Sequence, residues 1–216
     1  MLDLPKTTEF NRRIPKQKFY EKMNADANIK KIFAEQVKII YWKNKITVST
    51  TNLAAGSNVT EVEVFEIRLN SLKVDEKILH QIDKEIPYHI LFLLEYQGKY
   101  QAWIGYKEIS TGNKVSKVKE YFCTEWLDEE KLPLRLEGLN MDAVYDNFVR
   151  QVAGERLKSK KTGESLRESI DRDVKRRELQ KQIDSLTKKI RKEKQLNRQM
   201  EMNSEMKKIK KELETL

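Results

Sequence analysis

The sequence predicts an α+β domain followed by a long basic helical tail, and three observations carry that reading. All 18 aromatic residues of the 216-residue chain lie at or before Phe148. The first 153 residues hold 23 lysines and arginines against 22 acids, whereas residues 154–216 hold 20 against 12, so nearly all of the net charge of +9 sits in the tail. In the first part, β-branched and aromatic runs alternate with short stretches of helical spacing, and after Gly163 there is neither proline nor glycine. A body of about 150 residues buries roughly 70% of its unfolded surface and sustains its own core. The expected division is a globular domain at 1–153, a basic linker at 154–165 and a coiled-coil helical region at 166–216.

Taken in order, residues 6–36 read as helical. Thr7 or Thr8 caps the first piece, Pro15 breaks it because proline disfavours helical geometry in its predecessor, and Ile29, Ile32, Phe33 and Val37 follow near helical spacing. Residues 37–43 turn β-branched and aromatic, which favours a strand. Gly56-Ser57-Asn58 loops into a second strand at 59–69. There Val62 and Val64 share one phase while Phe65, Ile67 and Leu69 share the other, so a bulge near Val64–Phe65 is expected. A short helix at 75–85 turns Ile78, Leu79 and Ile82 inward and stops at Pro87. Residues 90–96 form an apolar central strand, Gln97-Gly98 a turn, 99–107 an alternating strand and 117–126 a further one. A helix at 140–152 buries Met141, Val144, Tyr145, Phe148 and Val152. The sheet expected is mostly antiparallel, of about five strands, flanked by helices.

The tail carries two apolar seams, Leu179, Ile183, Leu186, Ile190 and then Met206, Ile209, Leu213, Leu216, with a lapse at Glu193 and Asn197. On a straight helix Ile190 and Met206 point about 160° apart. Either the helix folds back, near Asn203-Ser204, or its two ends grip different partners. An unbroken helix would be on the order of 75 Å long and needs another helix alongside its stripe. A homo-oligomer through Leu179, Ile183, Leu186, Ile190, Met206, Ile209 and Leu213 is the simplest cover.

Catalytic motifs are scarce. There is no glycine-rich phosphate loop, nucleophile elbow or histidine pair at metal spacing; His80 and His89 read as structural. Cys123 is the single cysteine, so an internal disulfide or cysteine-built zinc site is ruled out. No cofactor or metal is expected. The longest apolar run, Ile90 to Leu94, is far short of the ~20 residues that span a bilayer, and residues 1–5 show no leader pattern, so a cytoplasmic protein without a membrane partner is expected.

Two chemical readings remain. Glu61, Glu63, Glu66 and Arg68 line one strand, and Glu66-Ile67-Arg68 approaches the Glu-x-Lys element of metal-dependent nucleases, with arginine in place of lysine; the plainer reading is solvated carboxylates on an outer sheet face. For nucleic acid, DNA or RNA, Lys99, Trp103 and Lys107 alternate onto one face of a strand, where an indole can stack a base between phosphate-binding ammonium groups. The alternative is a Trp packed under a helix. In the tail, Lys175, Arg176, Arg177, Lys188, Lys189, Arg191 and Lys192 could follow a phosphate backbone.

Several stretches together resemble a bacterial family described as a domain of unknown function: Leu4-Pro5-Lys6-Thr7-Thr8 with Ile14-Pro15-Lys16, Ile40-Tyr41-Trp42-Lys43, Val62-Glu63-Val64-Phe65-Glu66-Ile67, Ile82-Asp83-Lys84-Glu85-Ile86-Pro87-Tyr88, Gly138-Leu139-Asn140-Met141-Asp142, and Lys192-Glu193-Lys194-Gln195-Leu196-Asn197-Arg198. The resemblance implies genes beside helicases and DNA-modification enzymes. It thus implies a part in bacterial DNA transactions such as restriction or phage defence, and with the body/tail split this leads to a non-catalytic accessory subunit whose body docks on a helicase or modification partner while its tail oligomerises or contacts nucleic acid. The alternatives are a divergent metal-dependent nuclease and a purely structural coiled-coil adaptor.

Overall fold

In the computed structural model, which describes residues 4–22, 27–108 and 117–216, the chain divides into two units, 1–154 and 155–216. The first holds β1 (Glu9–Ile14), α1 (Lys16–Lys22), α2 (Ala27–Gln36), β2 (Val37–Thr47), the single turn α3 (Val48–Thr51), β3 (Glu61–Leu69), α4 (Glu76–Glu85), β4 (His89–Tyr96), β5 (Lys99–Glu108), β6 (Lys117–Cys123), β7 (Leu127–Asp128) and α5 (Met141–Ala153). The second holds α6 (Leu166–Lys192) and α7 (Leu196–Thr215). Among the described residues no helix is long and apolar enough to cross a membrane.

The sheet runs β1-β2-β3-β4-β5-β6, with β7 pairing the start of β5. It therefore has seven strands rather than five, and it is mixed: β3 and β4 are parallel. The cause is α4. A helix between neighbouring strands carries the chain back to its starting end, and the next strand must then run the same way. Asp75 caps α4 by accepting from the Lys77 amide at 3.0 Å, and Ile78, Leu79 and Ile82 are buried as their spacing predicts. Gln97 and Gly98, both at positive φ, make the tight turn from β4 to β5.

A second correction concerns the N-terminus. Residues 9–14 are an edge strand, not a helix, paired through Arg12↔Trp42, Arg13↔Tyr41 and Ile14↔Ile40. Proline biases its predecessor toward extended geometry, which here finishes a strand, and exposed Arg12 and Arg13 discourage further edge pairing. The expected bulge lies across from its predicted position: pairing steps from Trp42↔Phe65 to Asn44↔Val64, so the extra residue is Lys43 of β2. Strand β3 carries apolar residues in both phases because nearly every residue in it is buried.

Helices cover both faces. On one, Phe19 of α1, Phe33 of α2 and Ile78 and Leu79 of α4 pack with Ile40, Phe65, Ile67 and Phe92. On the other, α5 lies along β5 and β6 and buries Val144 and Phe148. Its Tyr145 hydroxyl donates to the Gly105 carbonyl at 2.7 Å and accepts from the Lys107 amide at 3.0 Å. Asn140 caps α5, and Asp142 accepts the amides of Ser57, Asn58 and Val59 at 2.8, 3.0 and 2.7 Å. A Cβ at Gly56 would sit 2.4 Å from that carboxylate, so the loop needs glycine there.

A buried ion pair ties α4 to β5. Lys107 Nζ lies 3.0 Å from Asp83 Oδ1 and donates to the Tyr88 carbonyl at 2.5 Å, while the Tyr121 hydroxyl donates to Asp83 Oδ2.

In the second unit, Ser165 and Glu168 form a capping box at the start of α6. The helix, about 40 Å long, ends at Glu193, whose carboxylate accepts the amides of Lys194 and Gln195, and α7 returns antiparallel. Lys175 meets Glu212 at 2.7 Å, and the Thr187 hydroxyl lies 3.6 Å from Met206 Sδ. This register sets buried Leu179 and Ile183 level with half-buried Ile209 and Met206. The tail is thus a hairpin folded at 193–195, where the seam lapses. Asn203 and Ser204 lie inside α7.

Two outcomes are expected. Lys107→Met leaves the Asp83 carboxylate buried without its cation and costs about 3–5 kcal/mol in urea unfolding, whereas Asp83→Leu with Lys107→Met costs less than that single change. A carbodiimide, which condenses an amine with a carboxylate in contact, joins Lys175 to Glu212 within one chain, so peptide mapping finds the link in the monomeric band. The link confined to a dimeric band would mean that α7 packs on a second copy.

Candidate functional site

The three acids of β3 do not converge. Alternation along the strand places Glu61 and Glu63 on the face of Phe65 and Ile67, and Glu66 and Arg68 on the opposite face. Accordingly Glu63 and Phe65 line one cleft and Glu66 another. Nor are they solvated: Glu63 is 2% exposed and Glu66 4%. Glu66 accepts from Arg68 Nε at 2.8 Å and lies 3.5 Å from Lys43 Nζ, and Arg68 also approaches Glu95 at 3.8 Å and covers the Tyr41 ring. Arg68, itself half-exposed, neutralises buried acid. Among the described residues, no three His, Cys, Asp or Glu side chains are grouped to hold a metal ion.

Around Glu63, strands β1 to β3, α1 and the residues after α4 frame a cleft of about 330 Å³. Ile14, Phe19, Trp42, Phe65, Ile86 and Pro87 form its walls; Lys18, Glu85 and Tyr88 complete it. Register places Trp42 beside Phe65, ring centroids 6.0 Å apart, and Phe10 backs Trp42 at 4.3 Å. After α4 ends, Pro87 and Tyr88 are exposed at the mouth. The floor is acidic but not anionic throughout. Burial, then the hydrogen bond and charge of Glu61, push the Glu63 carboxyl up to about 9, against the opposing pull of Trp42 and Lys45. Glu61 in turn has Lys45 Nζ at 3.0 Å. At neutral pH Glu63 therefore holds its proton and shares it with Glu61, and its Oε2 has no hydrogen-bond partner among the described residues.

The strand residues expected to meet nucleic acid are engaged within the protein. Lys99 pairs with Asp128 at 2.6 Å. Trp103 is half-buried against the core, 6.3 Å from the Tyr121 ring, and donates to Gln101. Lys107 is buried on Asp83. The His89 ring lies 4.2 Å from that of Tyr145, tilted by 57°, and burial, with Lys107 nearby, lowers it to about 4. Asp83 is raised by burial despite Lys107 and Tyr121. Each of these groups has a partner within the chain.

Along the hairpin the cations divide into two groups. In the stem, Asp173 is 1% exposed and gathers Arg156, Arg176 and Arg177 at 2.9, 2.7 and 3.0 Å; Arg172 pairs with Glu164 and Lys175 with Glu212. At the bend, residues 188–198 hold six cations and one acid. Lys188, Lys189, Arg191, Lys192, Lys194 and Arg198 are all exposed, alongside exposed Leu196 and Met200. The proposed oligomerisation residues, Leu179, Ile183, Leu186 and Ile190 of α6 and Met206, Ile209 and Leu213 of α7, are buried or half-buried on two helices that pack together within the chain.

Sequence reasoning missed the cleft. Its one legible signal was the parity of Glu63 and Phe65; that Trp42 and Tyr88 would join them depended on the β2 register and the α4 crossover. A pH test follows. Below about pH 4.5, the ordinary value, folded and unfolded chains both protonate Glu63 and the mismatch costs nothing. As pH rises toward 9 the unfolded chain alone ionises, and this share of stability is progressively lost. Glu63→Gln removes that loss: it should exceed the wild type at pH 8 by on the order of 3 kcal/mol and match it near pH 4.5 in denaturant melts. A difference independent of pH would overturn the shared-proton assignment.

No curated protein and no solved structure matches the chain. A family model described as Domain of unknown function (DUF4391) matches residues 2–213, nearly the whole length and including every stretch that lines the cleft and the bend, and the chain belongs to that family.

Proposed function

We propose that this chain is a non-catalytic accessory subunit in bacterial DNA transactions, of the restriction or phage-defence kind. The α/β unit docks on a helicase or modification protein, and the hairpin bend contacts the phosphate backbone. One observation carries the nucleic-acid part: residues 155–187 and 199–216 hold 14 cations against 11 acids, several of them in ion pairs, whereas the bend at 188–198 holds six exposed cations against one acid. Such a cluster draws sequence-blind, salt-sensitive affinity from counterion release. Exposed Leu196 and Met200 beside it offer apolar contact to exposed bases or to a partner. A metal-dependent nuclease using Glu61, Glu63, Glu66 and Arg68 has weaker support, since those acids sit on opposite faces of the sheet.

The test is anisotropy of labelled duplex and single-stranded DNA over a series of salt concentrations. Binding at low salt is expected, with log affinity falling linearly in log salt. Replacing Lys188, Lys189, Arg191 and Lys192 by Gln should flatten the duplex slope by about 3–4 units. Absence of binding at low salt, or a slope unchanged by the four substitutions, would remove the nucleic-acid contact.

A further inference from the structure

We propose that the Glu63 cleft binds a flat, uncharged heteroaromatic ring with an N–H on its edge, the chemistry of a nucleobase. Its volume, about 330 Å³, lies within the range of small-molecule sites, which are mostly apolar with a few placed polar groups. Phe19, Trp42, Phe65 and Tyr88 supply ring surface, and aromatic side chains stack bases of any identity. The one polar group set deep in the wall is Glu63, 2% exposed, whose Oε2 has no partner among the described residues. Glu63 hydrogen-bonds Glu61, and Oε2, with no partner among the described residues, is the acceptor offered to a donor.

That requirement narrows the ligand. A pure hydrocarbon would leave the acceptor orphaned, at the cost of a buried unpaired polar group. A phosphate or carboxylate would meet Glu85 and the acidic floor with Lys18 as the one cation in the lining to offset them. An organic cation would find the floor already neutralised, Glu61 by Lys45 and Glu63 by its proton. An uncharged ring offering an N–H satisfies Oε2 and fills the walls, while Lys18 and the exposed Tyr88 at the mouth suit the more polar part of such a ligand. The ring could belong to a free nucleoside or to an unstacked base in a strand. The inference does not depend on the hairpin bend, which belongs to the other unit.

Tryptophan fluorescence of the full chain, titrated with adenosine, cytidine, guanosine and thymidine and separately with short single strands, reads occupancy through Trp42. Saturable change with at least one nucleoside is expected in the micromolar to millimolar range. Tyr88→Ala, at the exposed mouth where the fold is not at risk, should weaken it about tenfold or more, and Glu63→Leu likewise. Glu63→Gln should retain it within about threefold, because the amide reproduces both the donor to Glu61 and the free acceptor. Saturation by strands but not nucleosides, still weakened by Tyr88→Ala and Glu63→Leu, assigns the ring to a strand. Failure of both ligand sets, or binding indifferent to these two variants, overturns the proposal. The four substitutions at the bend should leave nucleoside binding unchanged, so the two readings fail separately.

Discussion

Burial of β3 on both faces governs most of what the first unit does. The strand lies between antiparallel β2 and parallel β4, with helices packed against each side, so each of its three glutamates lies in a packed layer. Charge left bare there is costly, and each acid is neutralised differently. Glu66 takes Arg68 and Lys43, Glu61 takes Lys45, and Glu63 keeps its proton. The apparent run of acids is therefore three separate arrangements: Glu61 Oε1 has Lys45 Nζ at 3.0 Å as its counter-charge, whereas Glu63 Oε2 has neither cation nor hydrogen bond among the described residues.

The α4 crossover has two consequences that share one cause. By returning the chain it makes β3 and β4 parallel, and by ending at Glu85 it delivers Ile86, Pro87 and Tyr88 to the mouth of the cleft. Its far side is pinned by Asp83 on Lys107 and Tyr121. A buried pair of this kind contributes little net stability compared with apolar packing, yet is expensive to break singly. It fixes where the helix sits along β5, and with it the wall of the cleft.

The second unit is organised by how charge is paired. Asp173 holds three arginines in the stem, and the apolar stripe of α6 is met by α7 of the same chain. Among the described residues no carboxylate pairs with the cations of the bend, where Glu193 is committed to capping amides. Local pairing offsets part of the stem's charge and leaves the bend as the most strongly cationic stretch.

The α+β class and the helical C-terminal stretch were legible in the sequence, because apolar spacing, aromatic content and charge are properties of local pattern and composition. Helices α4 and α5 were legible too, since their apolar spacing and the caps Asp75 and Asn140 are local. The β1 strand was not: residues 9–14 are extended because β2 lies beside them, a pairing no local pattern encodes. The parallel pairing, the bend at 193–195 and the cleft likewise required partners distant in sequence. Chain-local chemistry determined which segments could bury a face. Only the tertiary structure decided which faces met, because strand register and helix crossing place residues such as Trp42, Glu63 and Tyr88 together through hydrogen bonds and packing that span the sheet.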